Sequence, residues 1–246
     1  MSEGQQMQEP LAPEARPDSP SLETALHSFG WSPRQCLLLV AFNLLPLAHV
    51  VVVAAIALVP WAGWPWRALV CLAGLYVAPP LVARVVRFWL PIRHGWIPIG
   101  SRDYFVWWFQ LNLQVLFCRF PALEECLRLV PKLYSAWLRL WGSRIGRYVY
   151  WAPGVCIYDR SFLDVGDAVV FGANVRLTPH VVARNAQGDM QLALAPIQIG
   201  DRVMVGAHSV LTAGTRIAAG ECTRACLLTS PFSEWAEGRR RKPDAA

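Results

Sequence analysis

IGDRVMVGAHSVLTAGTRIAAG, residues 199 to 220, decides the fold of this chain because an aliphatic residue returns at every sixth position. The aliphatic residues are Ile199, Val205, Leu211 and Ile217, and Gly directly follows the first two. A period of six fits neither an amphipathic helix nor a strand with alternating side chains. It is typical of a parallel β-solenoid, in which each hexapeptide forms one flat side and points its aliphatic residue inward.

The same period continues upstream of this stretch. It runs through Val165-Gly166, Phe171-Gly172 and Leu177, and more weakly from Ile145-Gly146, with a slip of about two residues near Phe162. Residues 183 to 195 (ARNAQGDMQLALA) carry no repeat, which predicts a loop ejected from the coils. Residues 144 to 228, less that loop, would build about four triangular coils, enough for a stable stack.

The first half of the chain has the composition of a membrane protein. Residues 36 to 59 (CLLLVAFNLLPLAHVVVVAAIALV) have no formal charge, and about 20 apolar residues suffice to cross a bilayer as a helix. A Trp-rich turn leads to a second apolar stretch over residues 68 to 83, which Arg84 and Arg87 extend by reaching the head groups. We therefore predict a transmembrane helical hairpin over residues 33 to 98. The positive-inside rule places both of its ends, and the repeats, in the cytoplasm of a multi-pass protein.

Three further segments complete the predicted organisation. Residues 1 to 32 are rich in Glu, Gln, Pro, Ser and Ala, have few large apolar groups and predict a disordered leader. Residues 99 to 143 mix aromatic and charged residues and predict amphipathic interfacial helices. Residues 229 to 246 form a basic C-terminal tail. The net charge of +6 is spread beside apolar stretches, which predicts a lipid bilayer and no nucleic acid as partner.

The repeats resemble the left-handed β-helix acyltransferase superfamily, most clearly over residues 165 to 220. This resemblance implies a mainly β fold class, a left-handed parallel β-helix, a homotrimer and an acyl-CoA or acyl-carrier thioester as co-substrate. It implies no permanently bound cofactor.

A resemblance that is closer in plan is to the membrane-attached C-terminal region of ε-poly-lysine-synthetase-type nonribosomal peptide synthetases. Residues 137 to 146 (WLRLWGSRIG), Thr178-Pro179-His180 and residues 196 to 200 (PIQIG) carry it, and it covers about residues 99 to 225. It implies a peptide synthetase or a carrier protein as a further partner.

His180 is the candidate general base, since it lies at the mouth of the non-repeating segment. In the family that the repeats resemble, such a His takes a proton from an acceptor hydroxyl or amine as that group attacks an acyl thioester, for which an imidazole has a suitable pKa. Those relatives place acidic residues soon after the His, whereas Val181 and Val182 follow here. Asp189 and Asn185 are therefore the candidate catalytic helpers.

The candidate substrate-binding residues are His208, Arg184, Arg202, Gly206 and Asp159. His208 would project from its coil towards a neighbouring subunit, where the family holds the pantetheine arm of the co-substrate. Asp159 lies about one coil before His180 and would stack near it. Arg184 and Arg202 could meet an acidic donor or acceptor.

Two other classes of protein share this architecture. A zinc hydratase needs three His ligands, and the coils offer only His180 and His208, so we predict no metal site. A non-catalytic scaffold that recruits a partner synthetase to the membrane requires no catalytic group. A structural His180 and a solvated His208 would both agree with a scaffold.

Overall fold

The computed structural model describes residues 31 to 185 and 188 to 241. Most of the predicted leader and the last five residues of the predicted tail lie outside them. The first half contains helices α1 (Pro33–Asn43), α2 (Leu45–Leu58), α3 (Trp64–Tyr76), α4 (Ala78–Trp89), α5 (Arg102–Arg119), α6 (Ala122–Arg128) and α7 (Leu133–Leu140), with strand β1 (Gly95–Pro98) between α4 and α5.

The second half consists of short strands. They are β2 (Arg144–Ile145), β3 (Tyr150–Trp151), β4 (Cys156–Ile157), β5 (Leu163–Val165), β6 (Val170–Phe171), β7 (Arg176–Thr178), β8 (His180–Arg184), β9 (Met190–Leu194), β10 (Ile197–Ile199), β11 (Met204–Val205), β12 (Val210–Thr212), β13 (Arg216–Ile217), β14 (Glu234–Ala236) and β15 (Arg239–Arg241). Helices nevertheless contain more of the described residues than strands do, so the prediction of a mainly β chain was wrong.

The repeats form three parallel sheets that the chain visits in turn. The first holds β2, β5, β10, β13 and β14, with β15 antiparallel at its edge; the second holds β3, β6 and β11, and the third β4, β7 and β12. Val165 pairs with Ile199 and Ile199 with Ile217, so aliphatic residues stack on aliphatic residues. Ile199, Val205, Leu211 and Ile217 are at most 4% exposed. The parallel sheets predicted from the six-residue period are thus confirmed.

Glycine follows the aliphatic residue where the backbones of successive coils approach each other closely. A Cβ atom on Gly166 would lie 2.3 Å from Asp201 Oδ1 and 2.7 Å from its backbone nitrogen. Backbone cannot move aside as a flexible side chain can, so this position accepts only a residue without a Cβ atom.

Most of the described residues in the predicted loop, residues 183 to 195, belong to two paired strands instead. β8 and β9 pair antiparallel, from His180 opposite Leu194 to Arg184 opposite Met190. β1 adds a third strand along β9, although we had assigned residues 95 to 98 to the transmembrane hairpin. This small sheet covers a second apolar core that includes Ile97, Trp107 and Leu194. β1 lies far from β9 in the sequence, and for that reason local pattern did not reveal the third strand.

Helices α5, α6 and α7 pack on the repeats. Trp107, Phe117 and Trp137 are buried there, and Leu138 belongs to the same apolar core as the repeat residues. At the other end, β14 extends the first sheet beyond the predicted boundary at residue 228, and β15 includes part of the predicted tail.

One helix among the described residues is long and apolar enough to cross a membrane. α1 and α2 join through Leu44 into a helix of 26 residues, Pro33–Leu58. α3 and α4 pass the same test only as a pair bent by 40°. The second span of the hairpin, and the side of the membrane on which the repeats lie, therefore stay predictions.

Candidate active site

His180 is hydrogen-bonded to a buried carboxylate. It is the first residue of β8, and its Nδ1 atom bonds Oδ2 of Asp159, which lies in the turn after β4. Asp159 is only 1% exposed, and its Oδ1 atom accepts a hydrogen bond of 3.0 Å from Trp107 Nε1. Both oxygens of the carboxylate are thus occupied, which fixes the orientation of the imidazole ring.

Two aromatic rings enclose the imidazole. The Trp107 ring lies edge-on to it with centroids 4.9 Å apart, and Tyr158 lies edge-on at 6.3 Å. The His180 side chain is still 21% exposed, and its Nε2 atom has no hydrogen-bond partner among the described residues. The ring is therefore held at Nδ1, and Nε2 is the atom left for a proton transfer.

The pKa of His180 is raised above its ordinary value. Burial alone would lower this pKa by penalising the charged imidazolium, but the Asp159 carboxylate and its hydrogen bond outweigh burial. The carboxylate therefore stabilises the imidazolium. This is the form that the ring takes when it accepts a proton as a general base.

Hydrogen bonds and an ion pair hold the turn that contains Asp159 against helices α5, α6 and α7. The backbone nitrogen of Arg160 donates to Gln114 Oε1 of α5 at 2.8 Å, and the Arg160 side chain forms a buried ion pair with Glu124 of α6. Ser161 Oγ donates to the carbonyl of Trp141, just after α7. All three helices thus help to hold the carboxylate against His180.

The structure places Asn185 and Asp189 at the far end of the β8–β9 hairpin. Asn185 lies five residues beyond His180, about 16 Å at 3.3 Å per residue, and Asp189 lies at the same end of the hairpin. There the backbone nitrogen of Asp189 donates to Asn185 Oδ1 at 2.8 Å, and Arg184 Nη1 donates to the Gly188 carbonyl at 2.9 Å. These contacts hold the ends of β8 and β9 together. Asp159 is thus the residue that is hydrogen-bonded to the His180 ring, and catalytic roles for Asn185 and Asp189 stay predictions.

The other candidate binding residues lie at different corners of the stack. His180 follows β7 and so occupies the corner between the third sheet and the first, whereas Arg202 lies between the first and the second. His208 lies between the second and the third, in the same left-handed corner conformation (φ 58°) as Arg202 (φ 55°). Gly206 allows close approach, since its Cβ atom would lie 2.4 Å from Ala225 N. One chain therefore does not bring these residues to His180.

Sequence reasoning missed the contribution of α5 to the site. Trp107 belongs to an aromatic segment that is also typical of a membrane interface. The sequence of this segment therefore does not indicate that Trp107 donates a hydrogen bond to a carboxylate. Gln110 follows one turn later, is buried, and has no hydrogen-bond partner for either polar atom of its side chain among the described residues. The available signal was the presence of amide side chains, Gln110, Asn112 and Gln114, within an otherwise apolar run; the structure shows that all three are buried.

Three large cavities lie elsewhere on the chain. One of about 580 Å³ lies between α7 and β3, one of about 660 Å³ beside α6, and one of about 470 Å³ beyond α4. His180 is in the wall of none of the three. The described residues contain no group of three or more His, Cys, Asp or Glu side chains that could hold a metal ion.

No family model matches this chain, and no curated protein matches it. Among solved structures, a hexapeptide-repeat-containing acetyltransferase from Vibrio cholerae is 15% identical, with a TM-score of 0.32; the match covers 52% of this chain and 90% of that one. A maltose O-acetyltransferase from Clostridium difficile is 14% identical, with a TM-score of 0.27 and coverage of 53% and 85%. Scores this low carry no argument about activity, so a functional proposal has to rest on the site itself.

Proposed function

We propose that this protein is a membrane-anchored acyltransferase that moves an acyl group from a thioester donor to a hydroxyl or amine acceptor. The observation that carries the proposal is the His180–Asp159 pair, which leaves Nε2 of the ring open at the start of the β8–β9 hairpin, between two strands of the repeats. An acyl-CoA or an acyl-carrier thioester would be the donor, and His180 would be the base.

The chemistry follows from the two ends of the ring. Asp159 keeps a proton on Nδ1, so Nε2 accepts the acceptor's proton while the acceptor oxygen or nitrogen attacks the thioester carbonyl carbon. The tetrahedral intermediate then collapses, the carbon–sulfur bond breaks, and the departing sulfur takes the proton back from Nε2. During the protonated stage Asp159 stabilises the imidazolium.

The proposal includes an assembly. We infer a left-handed β-helix that forms a homotrimer, because none of the three large cavities among the described residues reaches His180. A neighbouring subunit would supply the other wall of the cleft, with His208, Arg202 and Gly206 as candidates to face the donor. The apolar helix Pro33–Leu58 would be one anchor, and α3 with α4 would complete a hairpin that keeps the repeats in the cytoplasm.

The test is thiol release by the detergent-purified full-length chain. Acetyl-CoA is offered with a pooled set of amine and hydroxyl acceptors to the parent protein, His180→Ala and Asp159→Asn, with Arg216→Gln on the outside of β13 as control. Loss of a general base should lower the rate by roughly 10²–10⁴-fold, whereas Arg216→Gln should retain it. Equal rates for the parent protein and His180→Ala would refute the role of His180.

A second candidate is a non-catalytic scaffold that recruits a synthetase or carrier protein to the membrane. The absence of His180 from the walls of the three large cavities favours it. A correctly assembled protein that releases no thiol, yet retains a carrier protein on a column in both the parent and His180→Ala forms, would support the scaffold.

A further inference from the structure

The cavity beyond α4 lies where the apolar helices join the repeats. It has a volume of about 470 Å³ and is bounded by the end of α4, the segment before β1 and the turn before β5. Its charged or titratable side chains are Arg84, Arg87 and His94, and its apolar wall includes Phe88, Ile92 and Phe162. Its walls contain no Asp or Glu.

Within the part of the chain that the structure describes, the cationic groups of this cavity have no acidic partner. Arg87 donates from Nη1 to the Ser161 carbonyl at 3.1 Å and from Nη2 to the Trp141 carbonyl at 2.5 Å. Carbonyl oxygens satisfy its hydrogen bonds but do not neutralise it. Arg84 forms no hydrogen bond or ion pair with the described residues. A concave site with positive charges and an apolar wall attracts an anion.

The surface next to the cavity is apolar and uncovered. Phe88 is 79% exposed, and Trp89 and Val85 on the outer side of α4 are exposed as well. Large apolar side chains grouped in this way on a surface mark a region that a membrane or another apolar partner covers. α4 follows directly on the apolar helix α3, so lipid chains are the nearest apolar cover. A ligand that satisfies both regions has an anionic head and an apolar tail.

We propose that this cavity binds the phosphate-type head group of an anionic membrane amphiphile, with Arg84 and His94 as ligands and the tail against Val85, Phe88 and Trp89. Arg87 adds positive charge while it fastens α4 to the repeats. Phosphate is matched by arginine hydrogen-bond geometry, and a nearby imidazole can donate one more hydrogen bond.

The cavity and the His180 pair share one turn. The Phe162 ring contacts the His94 ring with centroids 5.7 Å apart, and the Phe162 backbone nitrogen donates to the Asp159 carbonyl at 3.1 Å. Gly95, next to His94, pairs with Leu194, which pairs with His180, so two strand spacings, about 10 Å, separate these backbones. If the proposed acyltransferase function holds, on which this step rests, the acceptor is an anionic amphiphile held by its head group beside His180.

The binding test uses native mass spectrometry of the full chain released from detergent micelles. Phosphatidylglycerol and phosphatidylcholine of equal chain length are offered in competition to the parent protein and to Arg84→Gln/His94→Gln. Arg34→Gln/Arg119→Gln replaces two exposed cations elsewhere and is the matched control. The parent protein and the control should prefer phosphatidylglycerol, and Arg84→Gln/His94→Gln should lose roughly 10-fold of that preference, as expected for one or two charge-assisted hydrogen bonds. Equal preference in all three proteins would overturn the proposal.

A second arm distinguishes a lipid head group from a soluble phosphate. Inorganic phosphate at the same concentration should not displace phosphatidylglycerol, because it lacks the tail. Displacement by inorganic phosphate would overturn the assignment to an amphiphile.

Thiol release separates this proposal from the acyltransferase proposal. His180→Ala should retain the preference for phosphatidylglycerol while it loses turnover. If the parent protein has no turnover but Arg84→Gln/His94→Gln still loses the preference, the head-group site stands and the acyltransferase proposal fails.

Discussion

Replacing Glu124 by glutamine should destabilise this protein far more than the same change at Glu125, the next residue of α6. Glu124 is 3% exposed, and its partner Arg160 is fully buried. Glu124 Oε1 accepts from Arg160 Nε at 2.5 Å, while Oε2 accepts from Tyr134 at 2.8 Å and from Arg128 at 3.1 Å. The neutral amide would leave the Arg160 guanidinium buried without its counter-charge.

The expected difference follows from burial. Breaking one half of a buried ion pair costs about 3–5 kcal/mol. The Glu125 side chain is 40% exposed and bonds Arg128, so the loss there should be about 1 kcal/mol or less. In a domain of 150–250 residues about 1 kcal/mol corresponds to roughly 2–4 °C in Tm, so Glu124→Gln should lower Tm by roughly 6–20 °C and Glu125→Gln by less than about 4 °C.

Thermal unfolding of both variants in one detergent, followed by tryptophan fluorescence, measures the difference. The Trp137 ring centroid lies 5.7 Å from Cζ of Arg160, so tryptophan fluorescence reports on the surroundings of the ion pair. The double variant Glu124→Leu/Arg160→Leu removes both charges and should unfold at a higher temperature than Glu124→Gln. Equal Tm values for Glu124→Gln and Glu125→Gln would show that the buried charge is compensated in another way, and would refute the reasoning.

Two further predictions concern the imidazole pair and the close-packed glycines. A general base acts when neutral, so the rate of thiol release should rise with pH through the raised pKa of His180, above 6.5; in Asp159→Asn burial acts alone and the rise should move to lower pH. A pH–rate profile that is identical in Asp159→Asn would contradict this electrostatic coupling. Gly166→Ala places a Cβ atom 2.7 Å from the Asp201 backbone nitrogen and should cost about 1–3 kcal/mol, whereas Gly74→Ala, 3.6 Å from the nearest Val53 atom, should not lower Tm. If both glycine variants unfold at the same temperature, the repeats are less tightly packed than this distance indicates.

The amino-acid sequence by itself determined the parallel sheets and the apolar helix of this protein. Ile199, Val205, Leu211 and Ile217 recur every six residues, and each must enter the interior because burial of aliphatic surface drives the coil to close. The helix Pro33–Leu58 follows equally from local composition, since its length and hydropathy do not depend on what packs beside it. His180 was noticed for the same local reason, at the point where the period stops.

The repeat spacing also predicted that Asp159 stacks near that histidine, but the tertiary structure alone decided that its carboxylate is hydrogen-bonded to the ring. Asp159 lies 21 residues before His180. The two residues meet because β4, which precedes Asp159, pairs with β7, which precedes His180. Trp107 reaches the same carboxylate from α5, and β1 completes the hairpin sheet from a distant part of the chain. A periodic pattern records which residues point inward within one segment. It does not record which distant segments share an edge, because that choice depends on packing and hydrogen bonding across the whole chain.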